Sequence, residues 1–195
     1  MDDSNDFCAE LNRRTKSIHD KSDKATRIKL AVALTDVTIY TQVLGDFYYV
    51  FKTIEELISE NAHSVNISAL WLPKLCRRKK IEQDLAYYLG LGWKDITKPS
   101  PAAQQYVSHL EEICGENPDI LIAYVAVIPN PLWLMAPLFI IPVPYFFAAL
   151  LAGGYILRKI IRRTLGLSTD DGLMIFHFSE GSRIELKNHI KKCNK

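Results

Sequence analysis

The sequence predicts an all-α protein of about one domain, and three stretches carry that expectation. Between Asp36 and Asn61, the residues Val37, Tyr40, Val43, Leu44, Phe47, Tyr48, Phe51, Ile54 and Leu57 recur mostly at gaps of three. On a 3.6-residue period such gaps line one broad apolar stripe of a long helix. A second helix is expected from Leu72 to Tyr88, with Pro73 in its first turn, where the missing N–H is harmless, and Gly90-Leu91-Gly92 closing it. Ser100-Pro101 supplies an N-cap and first-turn pair for a third helix through Ile113, closed by Gly115. At 195 residues the chain is long enough to bury a core without disulfide or metal staples.

Taken in order, residues 1–6 are expected to be a disordered tail and residues 7–193 one helical domain. Helical patterning runs from about Phe7 to Ile18, and Leu11 to Asp20 is strongly basic with a single histidine. Asn12, Thr15, Lys16 and His19 share a face of that helix. Neutral imidazole is a common metal ligand, and a lysine one turn earlier reaches an anionic group on whatever carries the metal. A lone histidine on a short helix is more commonly an ordinary polar residue. The pattern resumes over Arg27–Leu34 and passes into the 36–61 helix, whose aromatic-rich stripe suits either core packing or a planar ligand.

Asn61 to Leu70 reads as a loop, and Arg77–Lys80 as a basic run that is either a solvated face or a dock for an acidic partner. Another helix starts after Asn117-Pro118. From Ile120 to Leu157 no residue is charged, but Pro129, Pro131, Pro137, Pro142 and Pro144 break the stretch below transmembrane length. Two buried helices, about 119–127 and 145–165, are expected to flank a Pro-rich apolar insertion at 128–145. That insertion is a candidate membrane-dipping element or a translated intron. Gly153-Gly154 lies inside the second of these helices, where each glycine costs about 1 kcal/mol relative to alanine. Either two helices cross tightly there or something flat presses on the backbone. Arg158, Lys159, Arg162 and Arg163 make the helix end basic, which suits its dipole. A new element begins at Ser168, and a last helix over Arg183–Cys193 puts Lys187 and Lys191 on one face.

Composition narrows the function classes. With Lys+Arg 24 against Asp+Glu 22, the net charge of +2 gives no footprint for nucleic acid. Cys8, Cys76, Cys114 and Cys193 form no CxxC pair, so neither a zinc site nor a disulfide framework is expected. The acidic start Met-Asp-Asp-Ser-Asn-Asp is unlike a secretory signal, which makes the Asn66-Ile67-Ser68 glycosylation pattern accidental and the expected location reduced and cytosol-facing.

Ile81-Glu-Gln-Asp-Leu-Ala-Tyr-Tyr-Leu-Gly-Leu-Gly-Trp93, followed by Pro101-Ala-Ala-Gln-Gln-Tyr-Val107, resembles the central region of haem oxygenases of the animal type. Thr15-Lys16-Ser17-Ile18-His19 is similar to that family's axial-histidine segment, Gly153-Gly154 with Ile156–Lys159 to its kinked distal helix, and Gly172–Phe178 to the short segment beyond. The resemblance covers about residues 7–127 and 146–193 and implies a helical-bundle fold incomplete at its C-terminus. It implies His19 as proximal iron ligand, Lys16, Lys187 and Lys191 facing the haem propionates, and Gly153 and Gly154 against the distal haem face. The implied chemistry is oxidation of haem to biliverdin, CO and Fe²⁺. The implied reagents are O₂ and electrons from NADPH–cytochrome P450 reductase, at the cytosolic face of the endoplasmic reticulum. With haem as both cofactor and substrate, no carboxylate pair, catalytic triad or phosphate loop is called for, and the sequence carries none.

Departures from the family pattern leave an alternative. Ala149-Leu150 stands where the family has Gly-Asp, Asn12 replaces a lysine of the pocket rim beside Arg13, and Tyr145 is the stand-in for a distal tyrosine. The chain also stops before the family's closing helices and membrane anchor. These departures favour, as a second reading, a protein that binds or sequesters haem with little turnover. A structural or membrane-associated helical protein built around 128–145 is the third.

Overall fold

The computed structural model describes residues 36–71, 73–121, 154–155, 157–178 and 185. Among them every regular element is helical. Helix α1 (Val37–Glu60) is capped by Asp36, whose carboxylate accepts the Thr38 N–H at 2.7 Å. Helix α2 (Val65–Leu70) follows from the Ser64 cap, and a 3₁₀ turn at Pro73–Leu75 leads into α3 (Arg78–Leu89). A single turn, α4 (Trp93–Ile96), precedes α5 (Pro101–Glu116). Helical residues 154–155 and 157–164 form α6, and a last 3₁₀ turn spans Met174–Phe176.

Helix α1 is the spine. Its stripe buries Tyr40, Leu44, Tyr48, Phe51, Ile54 and Ile58, and the helix packs against both α3 and α5. From α3 come Ile81 and Leu85, from α5 Leu110 and Cys114, and from the distal part of the chain Leu157, Ile161, Leu173, Ile175 and Phe176. These side chains make one continuous cluster, with Phe47 and Leu57 packed against it, so most of the stripe from Tyr40 onward is core, while Val37 at its start is exposed. Tyr48 and Trp93 meet edge to face with centroids 4.7 Å apart, tying α4 to the spine. Tyr49 adds a hydrogen bond from its hydroxyl to the Thr97 carbonyl at 2.7 Å.

Four sequence expectations change. The 61–70 stretch is not all loop: the Ser64 hydroxyl accepts the Ile67 N–H and starts α2. The helix expected from Leu72 to Tyr88 is two pieces, a 3₁₀ turn and then α3. Gly115 does not stop α5, which continues through Glu116 to Asn117, whose N–H bonds the Ile113 carbonyl. Finally, Arg77–Lys80 is not a wholly solvated run, because Arg77 is only 3% exposed. Residues 1–35 and 122–153, including the expected insertion at 128–145, lie outside the described residues. No helix among the described residues is long and apolar enough to cross a membrane.

Leu85 is fully buried between the spine and the distal segment, whereas Leu91 stands in solvent. Leu85→Ala should lower the unfolding free energy by about 2–5 kcal/mol. Leu91→Ala should change it by less than about 0.5 kcal/mol, both read from urea titrations.

Candidate functional site

The chain beyond α6 is held from α3. Asp84, 0% exposed, lies on the same helix face as Ile81 and Leu85 and points at the start of the Met174–Phe176 turn. Its Oδ1 accepts the Met174 N–H at 2.6 Å and its Oδ2 the Ile175 N–H at 2.7 Å. Burial pushes the Asp84 carboxyl up to about 7, and the charge of Asp171 adds to the rise. The two backbone donors and Lys80 pull the other way. Tyr40 and Tyr88 face the same carboxyl from α1 and α3, and burial together with its charge raises both phenols.

One residue before α3 is a second clamp. The Arg77 guanidinium donates to the carbonyls of Leu75 at 3.2 Å, His177 at 2.9 Å and Lys74, and sits 4.0 Å above the Phe178 ring. Burial lowers Arg77 to about 10, so it stays charged at neutral pH. Between the two clamps stands Phe176. Its Cδ1 lies 3.4 Å from where a Cβ on the buried Gly154 would be, an ordinary van der Waals distance, so the ring packs beside that glycine. Beyond it the basic end of α6 folds onto the following loop, with Arg158 and Arg162 each 3.7 Å from the Asp170 carboxylate.

Of the residues singled out in the sequence, Gly154 is described, and what touches its open face is Phe176. Lys16, His19, Gly153, Lys187 and Lys191 lie outside the described residues. Among the described residues no group of three or more His, Cys, Asp or Glu side chains could hold a metal ion. One imidazole and several ammonium groups, the set the sequence offers, fit a haem: its ring nitrogens already hold the iron, and its propionates are anions. Missed at the sequence level were the anchoring roles of Asp84 and Arg77. The signal for Asp84 was a carboxylate at a core register, three residues after Ile81 and one before Leu85. For Arg77 there was no such signal, since its burial depends on a segment 100 residues away.

This helical layout, with a glycine-bearing helix seated on a clamped aromatic turn, falls in the class of haem oxygenase folds. "Heme oxygenase-2 from Synechocystis sp. PCC 6803 in complex with heme and NO" superposes with TM-score 0.75 at 26% identity, covering 96% of this chain and 71% of that one. The structure from Leptospira interrogans, at 22% identity and TM-score 0.77, shares the fold. In sequence, a curated "Heme oxygenase" of Rhodella violacea is 27% identical over 172 residues, 88% of this chain and 66% of the relative. "Heme oxygenase 2" of Synechocystis is 30% identical over 139 residues, 71% of this chain and 48% of the relative. The family model described as "Heme oxygenase" matches residues 5–127, more than half of the chain. The chain therefore belongs to the haem oxygenase family, and it spans about half to two thirds of the length of these two curated relatives. The likeness is not confined to the animal type named from the residues, since the relatives include algal and cyanobacterial proteins.

The raised carboxyl of Asp84 has a consequence for stability. With a folded value of about 7 against an ordinary value near 3.8, the folded chain keeps a proton that the unfolded chain has released over that window. Stability from this group is therefore full below about pH 4 and lost as pH rises to about 7, by at most about 4 kcal/mol. Asp84→Asn should flatten the fall in unfolding free energy between those two pH values. Equal slopes in urea titrations of both proteins would contradict the assignment.

Proposed function

We propose that the chain is a haem-degrading oxygenase, cleaving haem to biliverdin, CO and Fe²⁺. The observation that carries this reading is the family match over residues 5–127, which runs through both the His19 stretch and the Ile81–Trp93 block. Heme-bound solved relatives from Synechocystis support it. When bound, haem supplies an iron able to take O₂ and is itself the carbon skeleton that is oxidised. The work of the protein is then to hold and orient. In this reading His19 ligates the iron through a neutral imidazole, and Lys16, Lys187 and Lys191 orient the propionates as charge-assisted donors. Gly153 and Gly154 would let backbone come close to the haem, and Phe176 packs on the side of Gly154 where a Cβ would point. The electrons come from NADPH–cytochrome P450 reductase and the setting is cytoplasmic, at the cytosolic face of the endoplasmic reticulum with 128–145 as membrane contact.

Leu150 favours a second reading, haem sequestration without turnover, because the family's aspartate at that place organises the water that delivers protons. One purified sample separates the two. Adding haemin should produce a Soret band under either reading. Adding NADPH and reductase should then consume the band and release bile pigment only if the chain is an oxygenase.

The variant His19→Ala should lose the ligated Soret spectrum and at least an order of magnitude of turnover. An unchanged spectrum together with unchanged turnover would remove the proximal assignment.

A further inference from the structure

We propose that Asp84 is a positioning residue for the distal side of the haem site, acting on α6 through the Met174–Phe176 turn; this rests on the haem reading above. The path is short and each contact in it is direct. The two oxygens of one carboxylate take two successive N–H groups, Met174 at 2.6 Å and Ile175 at 2.7 Å. Those groups lie 90 and 91 residues further along the chain: the turn's own bonds, Phe176 N–H to the Leu173 carbonyl and His177 N–H to the Met174 carbonyl, give it its shape, and the carboxylate ties it to α3. Phe176 ends the turn, and its ring edge is 3.4 Å from the Cβ position of Gly154. The carboxylate thus fixes the turn, the turn carries the ring, and the ring packs beside Gly154 in one cluster with Leu157 and Ile161 of α6.

The other fixings converge on the same segment. Glu55 of α1 accepts the N–H groups of Arg77 at 2.6 Å and Arg78 at 2.9 Å, which holds the start of α3 and so the helix that carries Asp84. Arg77 holds His177 and Phe178 on the far side of Phe176. Phe176 thus stands between two fixed points. A carboxylate wholly removed from water is a poor substitute for leucine as packing material, because its desolvation opposes folding. What it offers that leucine cannot is direction, two acceptors aimed at two adjacent donors.

Asp84→Asn keeps the shape and one acceptor and loses the other. In the haem-free protein, amide hydrogen exchange at Met174 and Ile175 should accelerate on the order of tenfold, with helix content unchanged. In the haemin-loaded protein, reduced and exposed to carbon monoxide as a probe, the CO stretching band should shift in both Asp84→Asn and Phe176→Ala. Haemin affinity should stay within about threefold, and kcat should fall while KM holds. Because the two residues act through one contact, the double variant should shift the band no further than the larger single one. Unaltered exchange in Asp84→Asn, an unshifted band in both variants, or additive shifts would overturn the proposal. A purely structural aspartate would lower stability and leave the CO band alone. Should Asp84→Asn fail to fold, Phe176→Ala decides, since it leaves both hydrogen bonds in place: a shifted band supports the positioning role and an unshifted one ends it. Should the unaltered chain take up no haemin, the haem reading fails by itself. The contact is then judged by exchange over residues 157–164 in haem-free Phe176→Ala, where acceleration supports it and no change removes it.

Discussion

Carboxylates aimed at backbone N–H groups hold this fold in register. A helix leaves its first N–H groups without partners, and burying them unpaired opposes folding. Here the partners come from other helices. Asp46 of α1, nearly buried, accepts the N–H of Ser100, the cap of α5, at 2.8 Å. Glu55, two turns along, closes the start of α3, where Arg77 offers no side-chain cap of its own. Asp84 does the same for the 3₁₀ turn after α6. Asp46 and Glu55 also stand at the positive ends of the dipoles of α5 and α3. The spine thus does more than bury a stripe, because it fixes where its two neighbours begin.

This arrangement gives the Ile81–Trp93 block a structural role that does not require it to line the proposed haem site. Ile81 and Leu85 bind α3 to the core, Asp84 reaches across to the segment after α6, and Tyr88 closes over the loop at Gly172. Trp93 then packs on Tyr48 of the spine. The block is a bracket between the spine and the segment that follows the glycine-bearing helix.

What the sequence disclosed follows the range of the forces involved. The spine was legible because a three-to-four-residue rhythm from Val37 to Leu57 is a local property, and the Ser100-Pro101 start of α5 was legible because a cap acts within one turn. The end of α5 was misread since Gly115, a weak local signal, yields to packing that keeps Cys114 buried. Helix α2 was overlooked although Ser64 marks its start, its six residues being too few to show a period. Arg77 looked like one more surface cation in a run of four, and only contacts with Glu55 and His177 reveal otherwise. Gly154 was read as a place of close approach by a helix or something flat, and the neighbour on its Cβ side is a phenyl ring of the same chain at ordinary contact distance.

The loop at Gly172 carries a restriction of its own. Its φ of 80° already excludes most side chains, and a Cβ there would lie 2.6 Å from Cζ and Oη of Tyr88. Tyr88 in turn packs edge to face on Tyr40, with centroids 5.6 Å apart, so its ring has little freedom to retreat. Positions 88 and 172 are therefore coupled by shape in this chain. A side chain at 172 would need the ring at 88 to give way and would still have to bear the positive φ.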